Sequence, residues 1–212
     1  MKRILSVLLP ALFYTSCLFG QDAFVVSMIP DSIWIKMQGK TYVHNPDIQR
    51  HDLRYLRVLH WDYDGQSHQG ELICNKVIAD KLLAIFQELY RQHYPIQRMR
   101  LPDEYDADDE RQMRDNNTSC FCYRTIAGSK KLSYHARGLA VDINPLYNPC
   151  VRRKKDGTLK VEPSTGRPYI DRTKSFKYKI TTRDLCYRLF IQHGFQWGGS
   201  WRSLKDYQHF EK

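Results

Sequence analysis

No internal repeat and, outside the first twenty residues, no low-complexity segment occurs in the 212-residue sequence. That excludes a solenoid, a propeller or a disordered array. The six cysteines (Cys17, Cys74, Cys120, Cys122, Cys150 and Cys186) fall at spacings that fit no zinc finger. Neither a helix-turn-helix nor an RNA-binding signature appears, so a nucleic-acid partner is not expected. The acidic stretch "LPDEYDADDERQMRD" lacks the ligand-and-glycine order of an EF-hand loop, which excludes that calcium site. With no sustained period, it reads as a solvated, mobile connector. Regular βαβ alternation is missing as well, which argues against a doubly wound parallel sheet.

What remains is ordinary globular material. At 42% hydrophobic and 26% charged residues, the chain suits one domain that buries a core without relying on disulfides. Lysine and arginine outnumber acidic residues 33 to 23, for a formal net charge of +10. The first twenty residues differ from the rest. Lys2 and Arg3 precede an apolar stretch from Ile4 to Phe13, and small residues follow near Ser16. This is the three-part pattern of an export signal, too short and too poorly flanked for a membrane span. "YTSC" loosely resembles a lipoprotein box that would place a lipid anchor at Cys17, the one route to a membrane; cleavage after Gly20 is the other option. The expected locale is periplasmic or envelope-associated, where a basic monomer meets an anionic wall.

The periodicities predict α+β, with a central, largely antiparallel sheet flanked by helices. "AFVVSMI" and "DLRYLRVLHWDYDG" read as strands, the second ending at the Asp64-Gly65 turn with "GELICN" as its partner. Val77, Ile78, Leu82, Ile85, Phe86 and Leu89 recur at helical spacing between Lys76 and Tyr90. "NTSCFCYRTI" and Leu139 to Ile143 have strand character. Cys120 and Cys122 alternate on the first of these, so buried thiols or one long-range disulfide are expected. Asn144 to Asp171 reads as a long loop carrying the basic run "RRKK" (Arg152 to Lys155). Thr182 is a candidate N-cap for a helix containing Leu185, Leu189, Phe190 and Ile191 that ends near Gly194.

Chemistry concentrates in "SYHARGLAVDI". If Leu139 to Ile143 is a strand, Gly138 supplies the bend that returns His135 alongside Asp142, and imidazole with carboxylate suits zinc. A third ligand is required, and "DYQHFE" offers His209, flanked by Asp206 and Glu211. Three protein ligands leave a fourth coordination position open, the layout of a catalytic rather than a structural zinc site. Hydrolysis also needs a base that is not a ligand. Asp206 and Glu211 both qualify by spacing. Trp197 and Trp201, with Gly198 and Gly199, either wall a cleft or belong to the core.

Taken together, "SYHARGLAVDI" and "DYQHFE" resemble the motifs of the M15 family of zinc D,D-peptidases, with supporting matches at "NNTSCFCYR", "INPLYNP" and "FQWGGSW". The resemblance covers about residues 116–211, the expected catalytic core of a single domain from 21 to 212 behind an export signal at 1–20. It implies a hedgehog/D,D-peptidase-like fold and one zinc ion held by His135, Asp142 and His209. It also selects Asp206 over Glu211 as the base. Arg124 is implied to bind substrate and steady the developing oxyanion. Ser133 is implied to touch substrate or to orient His135. The implied activity is hydrolysis of amide bonds in peptidoglycan stem peptides, of the L-Ala-D-Glu endopeptidase or D-Ala-D-Ala carboxypeptidase type. The rival is a zinc-containing binding module without turnover, a role that the similar hedgehog signalling domain illustrates. A retained base at Asp206 counts against it.

Overall fold

The structure is a computed structural model that describes residues 23–126, 129 and 131–212; the expected export signal and Cys17 lie outside them. Its largest sheet is built on a hairpin. Strand β2 (Leu53–Trp61) pairs antiparallel with β3 (Ser67–Asn75), and β1 (Val25–Ser27) adds to the free edge of β2. The reversal between β2 and β3 is made by Asp62, whose Oδ1 accepts from the backbone N–H groups of Asp64 and Gln66, with Gly65 at φ +74°. A side chain is disfavoured in that left-handed conformation, so glycine there sets the turn.

Alternation along these strands feeds two apolar clusters. Leu56, Val58, Leu72 and Cys74 face the larger one, while Leu53, Tyr55 and Ile73 face the smaller one on the opposite side. The smaller cluster is closed by Ile29, Met37 and Tyr42, contributed by and around α1 (Asp31–Met37), and by Phe121. The larger is covered by α2 (Lys76–Arg91), whose Asn75 cap accepts from the Val77 N–H. Ile78, Leu82, Ile85, Phe86 and Leu89 of α2 are buried, each contributing about 2 kcal/mol. Val77 belongs to the exposed face instead. Helix α4 (Leu185–Gln192) packs on the same cluster through Cys186 and Phe190, leaving Ile191 exposed. Its cap is Asp184, which accepts from the Cys186 N–H, rather than Thr182. The carboxylate two residues later lies at the true helix start and takes the capping role.

The remaining strands form two smaller sheets. One has the order β4 (Ala140–Asp142), β9 (His209–Glu211), β7 (Gln196–Trp197); the other β6 (Leu159–Glu162), β5 (Cys150–Arg153), β8 (Leu204–Asp206). Every pairing among the named strands is antiparallel. The mixed helix and sheet composition is as expected, and the antiparallel strands are distributed over three small sheets. The strands of the two smaller sheets are only two to four residues long, and Pro145, Pro149 and Pro163 fall in the segments between them, where the missing N–H stops a ladder from continuing.

Three further sequence expectations need correction. The 144–171 segment is not a plain loop: β5 and β6 form a hairpin within it, and a 3₁₀ turn spans Ser164–Tyr169. The acidic connector is folded. Pro102–Tyr105 makes a 3₁₀ turn, and Asp109–Arg114 forms α3, capped by Asp108 accepting from the Arg111 N–H. "NTSCFCYRTI" is extended but pairs only at isolated points, Asn117 with Arg98, Ser119 with Asp142 and Thr125 with Leu132. Both of its faces are covered, since Cys120, Phe121 and Cys122 are all buried. The five described cysteines are free and buried. Among the described residues, no helix is long and apolar enough to cross a membrane.

Candidate metal centre

The first candidate ligand, His135, is set by a tight reversal. Ser133 Oγ accepts from the Ala136 N–H, a 3₁₀ turn spans His135–Arg137, and Gly138 closes it at φ +66°. Glycine is required at this point for a second reason. A Cβ on residue 138 would lie 2.6 Å from the Asn75 backbone nitrogen, which instead donates to the Gly138 carbonyl at 2.8 Å. The turn is thereby pinned to the junction of β3 and α2, and His135 folds back beside β4. Antiparallel pairing of β4 with β9 then sets Asp142 directly opposite His209.

All three side chains are buried, and one donor atom from each lies within 4.8 Å of the others. Asp142 Oδ1 stands 3.0 Å from His209 Nδ1, and Oδ2 stands 3.3 Å from His135 Nε2; the two ring nitrogens are 3.2 Å apart. The remaining nitrogen of each ring is held from outside: His135 Nδ1 lies 2.6 Å from the Cys120 carbonyl, and His209 Nε2 3.0 Å from Glu211 Oε2. A metal-binding histidine characteristically has its second nitrogen tied in this way, which fixes the ring and the lone pair it presents. Two imidazoles and one carboxylate converging from three elements make a donor set that fits zinc.

The electrostatics agree. Burial works against ionisation of Asp142, yet His135 and His209 hold its carboxyl well below the usual carboxylate range. For His209, burial opposes the charged form, but the Asp142 and Glu211 carboxylates outweigh it and push the imidazole up to about 10. The pocket concentrates negative charge and calls for a cation, as a proton or as a metal.

Asp206 stands beside this group on β8. Burial pushes its carboxyl up to about 6; His209 opposes the shift and Asp142 adds to it. Its Oδ1 is sealed from solvent and has no hydrogen-bond partner among the described residues. A buried acceptor in that condition is costly unless a donor completes it. Gly198 permits the approach, since a Cβ there would sit 2.7 Å from the Asp206 carbonyl oxygen and 3.3 Å from His209 Cβ. The whole group opens onto a cleft of about 550 Å³, also lined by Asp109, Arg124, Ser133, Tyr134, Arg152 and Trp201.

Residues 127–212 match the family model described as D-alanyl-D-alanine carboxypeptidase, of the M15 peptidases. Over that span the chain is similar to the M15 peptidases. No curated protein and no solved structure matches it. The match and the buried His-Asp-His group together support a peptidase with a candidate metal site.

The other expected residues divide. Arg124 lines the cleft, with its Nε paired to Asp109 Oδ2 at 2.7 Å. Ser133 also lines it, but its hydroxyl caps the turn that carries His135, which makes it a positioning group. Of the two tryptophans, Trp197 is core, donating from Nε1 to the Tyr207 carbonyl, whereas Trp201 lines the cleft with its ring 5.3 Å from that of His209. The Glu211 carboxylate meets the outer nitrogen of His209. Its i+2 spacing placed it on that face, though spacing alone could not separate the roles. Sequence reasoning missed Asp109 and the Cys120 carbonyl. The first lay in a segment read as mobile, where the Asp108 cap was the available signal. The second is a main-chain atom and leaves no trace in residue identity.

Proposed function

We propose that this chain is an exported zinc metallopeptidase that hydrolyses amide bonds in peptidoglycan stem peptides. The observation that carries the reading is the convergence of His135 Nε2, Asp142 and His209 Nδ1 on one point, with Asp206 beside them at the floor of an open cleft. Export is supported by the charged-apolar-small pattern of the first twenty residues, and a D-Ala-D-Ala carboxypeptidase activity by the description of the matching family model.

When bound, zinc supplies Lewis acidity, which polarises the scissile carbonyl and makes water acidic enough to attack near neutral pH. The chain's own residues do the rest. His135 and His209 are oriented by the Cys120 carbonyl and the Glu211 carboxylate, so the donor geometry is preformed. Asp206 takes the proton from the attacking water and returns it to the leaving amine. A carboxyl raised to about 6 is matched to both halves of that task. The Arg124 guanidinium, steadied by Asp109, supplies positive charge where the tetrahedral oxyanion develops. Trp201 provides an apolar wall beside His209.

Metal analysis combined with defined muropeptides tests this reading. Zinc at one equivalent and release of a single D-alanine establish the carboxypeptidase; release of a longer fragment establishes the L-Ala-D-Glu endopeptidase. Zinc binding without cleavage of any muropeptide would favour the binding-module alternative and refute the reading.

A further inference from the structure

Antiparallel pairing in the β6-β5-β8 sheet sorts its side chains. Cys150 on β5 pairs with Asp206 on β8 and with Glu162 on β6, while Arg152 pairs with Leu204 and Lys160. Residues two apart share a face, and Cys150, Arg152, Leu204, Asp206 and Glu162 all line the cleft. Arg152 is therefore carried by the same sheet face as Asp206, one strand repeat further along, about 7 Å.

The charges along that wall are mostly compensated. Arg124 is paired with Asp109 at 2.7 Å, and Lys160 with Glu162 at 2.6 Å. Arg153, the neighbour of Arg152 on the outer face, donates to the Gly157 carbonyl. Arg152 is the exception. It is exposed, and among the described residues it is the cleft arginine with no carboxylate or carbonyl partner. A guanidinium presents a planar fork of donors that suits a carboxylate in two parallel hydrogen bonds.

We propose that Arg152 binds a free carboxylate on the substrate residue adjoining the cleaved amide. The proposal rests on the peptidase reading above and names the feature that the cleft selects. One peptide residue spans about 3.5 Å, so the strand repeat of about 7 Å between Asp206 and Arg152 corresponds to about two residues, which puts a carboxylate within one or two residues of the cut in reach of the flexible arginine side chain. Two sources offer that chemistry, the C-terminal carboxylate of a D-Ala-D-Ala end and the free α-carboxylate of an internal γ-linked D-glutamate.

The test compares the zinc-loaded parent, Arg152→Ala and Arg152→Lys on stem peptides with both carboxylates free, with the C-terminus amidated, or with the D-glutamate α-carboxylate amidated. Expected for Arg152→Ala is a KM about 10- to 100-fold higher on the free acid, the loss of a charge-assisted pair, with kcat nearly unchanged. The lysine variant restores part of the affinity. The amidated peptide that the parent binds as weakly as Arg152→Ala does identifies the carboxylate. The same peptides are titrated calorimetrically in the zinc-loaded Asp206→Asn background, with and without Arg152→Ala. If Arg152→Ala leaves both KM and the calorimetric affinity for the free acid at parental values, the proposal is overturned. If the parent cleaves nothing while Arg152→Ala still removes calorimetric affinity for the free acid, the carboxylate site stands and the peptidase reading falls.

Discussion

Two groups among the described residues each contain a pair of histidines and an aspartate, and one of them brings all three side chains together as a candidate metal centre. His60 and His68 face each other across β2 and β3 with ring centroids 5.6 Å apart; His135 and His209 are 5.0 Å apart. In both groups one imidazole is buried with its Nδ1 against a main-chain carbonyl, that of Ile96 for His60 and Cys120 for His135. The difference lies in the carboxylate. Asp62 spends Oδ1 on the turn and Oδ2 on His68 alone, at 2.7 Å. Asp142 stands between two rings with one oxygen toward each. Burial pushes His60 below its ordinary pKa, whereas Asp142 and Glu211 raise His209. A fixed ring is therefore not enough. Convergence needs an acid that has no other occupation.

The largest effect should come from breaking the convergent group. His135→Ala or His209→Ala is expected to reduce bound zinc to background and abolish muropeptide cleavage, while His60→Ala keeps one zinc per chain. Elemental analysis of the three variants checks this, and equal zinc loss in all three would erase the contrast. Next comes Asp206→Asn, which should retain zinc yet lower kcat by about 10²- to 10⁴-fold. Undiminished turnover in that variant would remove Asp206 from the mechanism. Glu211→Gln weakens the hold on His209 and should cost about 10- to 100-fold in zinc affinity, read by competition with a chelator. An affinity equal to the parent's would show that the outer hydrogen bond is dispensable.

The smallest step, taken per pH unit, is one of pH. Because His209 is raised to about 10 without a metal, the imidazole keeps its proton at neutral pH and must release it to bind zinc. Apparent zinc affinity should therefore climb by about tenfold per pH unit above neutrality, levelling off as the pH passes the histidine's own value. Measured in buffers that do not bind zinc, a flat profile would mean that the ring is already neutral.

The comparison also explains what could be read in advance. His135, Asp142 and His209 were legible because the turn at Gly138 and the two short strands follow local rules, and the motif pair fixes their order. The β2-β3 hairpin and α2 were legible through strict alternation and helical spacing. The folded acidic segment was not. Asp109–Arg114 is a six-residue helix, too short to display a period, and a tertiary ion pair to Arg124 gives it its place at the cleft. The β5-β6 hairpin was hidden for a related reason. Its strands are four residues each, with two exposed arginines in β5, so no apolar alternation announces it. Cap choice between Thr182 and Asp184 turned on where α4 begins, a boundary that sequence pattern places only to within a few residues.

The carbonyl of Cys120 and the amide of Asn75 both come from chain upstream of the span matched by the family model, and both hold the turn that carries His135. A fragment excised at residue 127 would retain every candidate ligand yet lose the two anchors that aim the first of them. Such a piece should bind zinc weakly and without a settled geometry, so the smallest autonomous unit of this fold is set by its main-chain scaffolding and extends well beyond its signature residues.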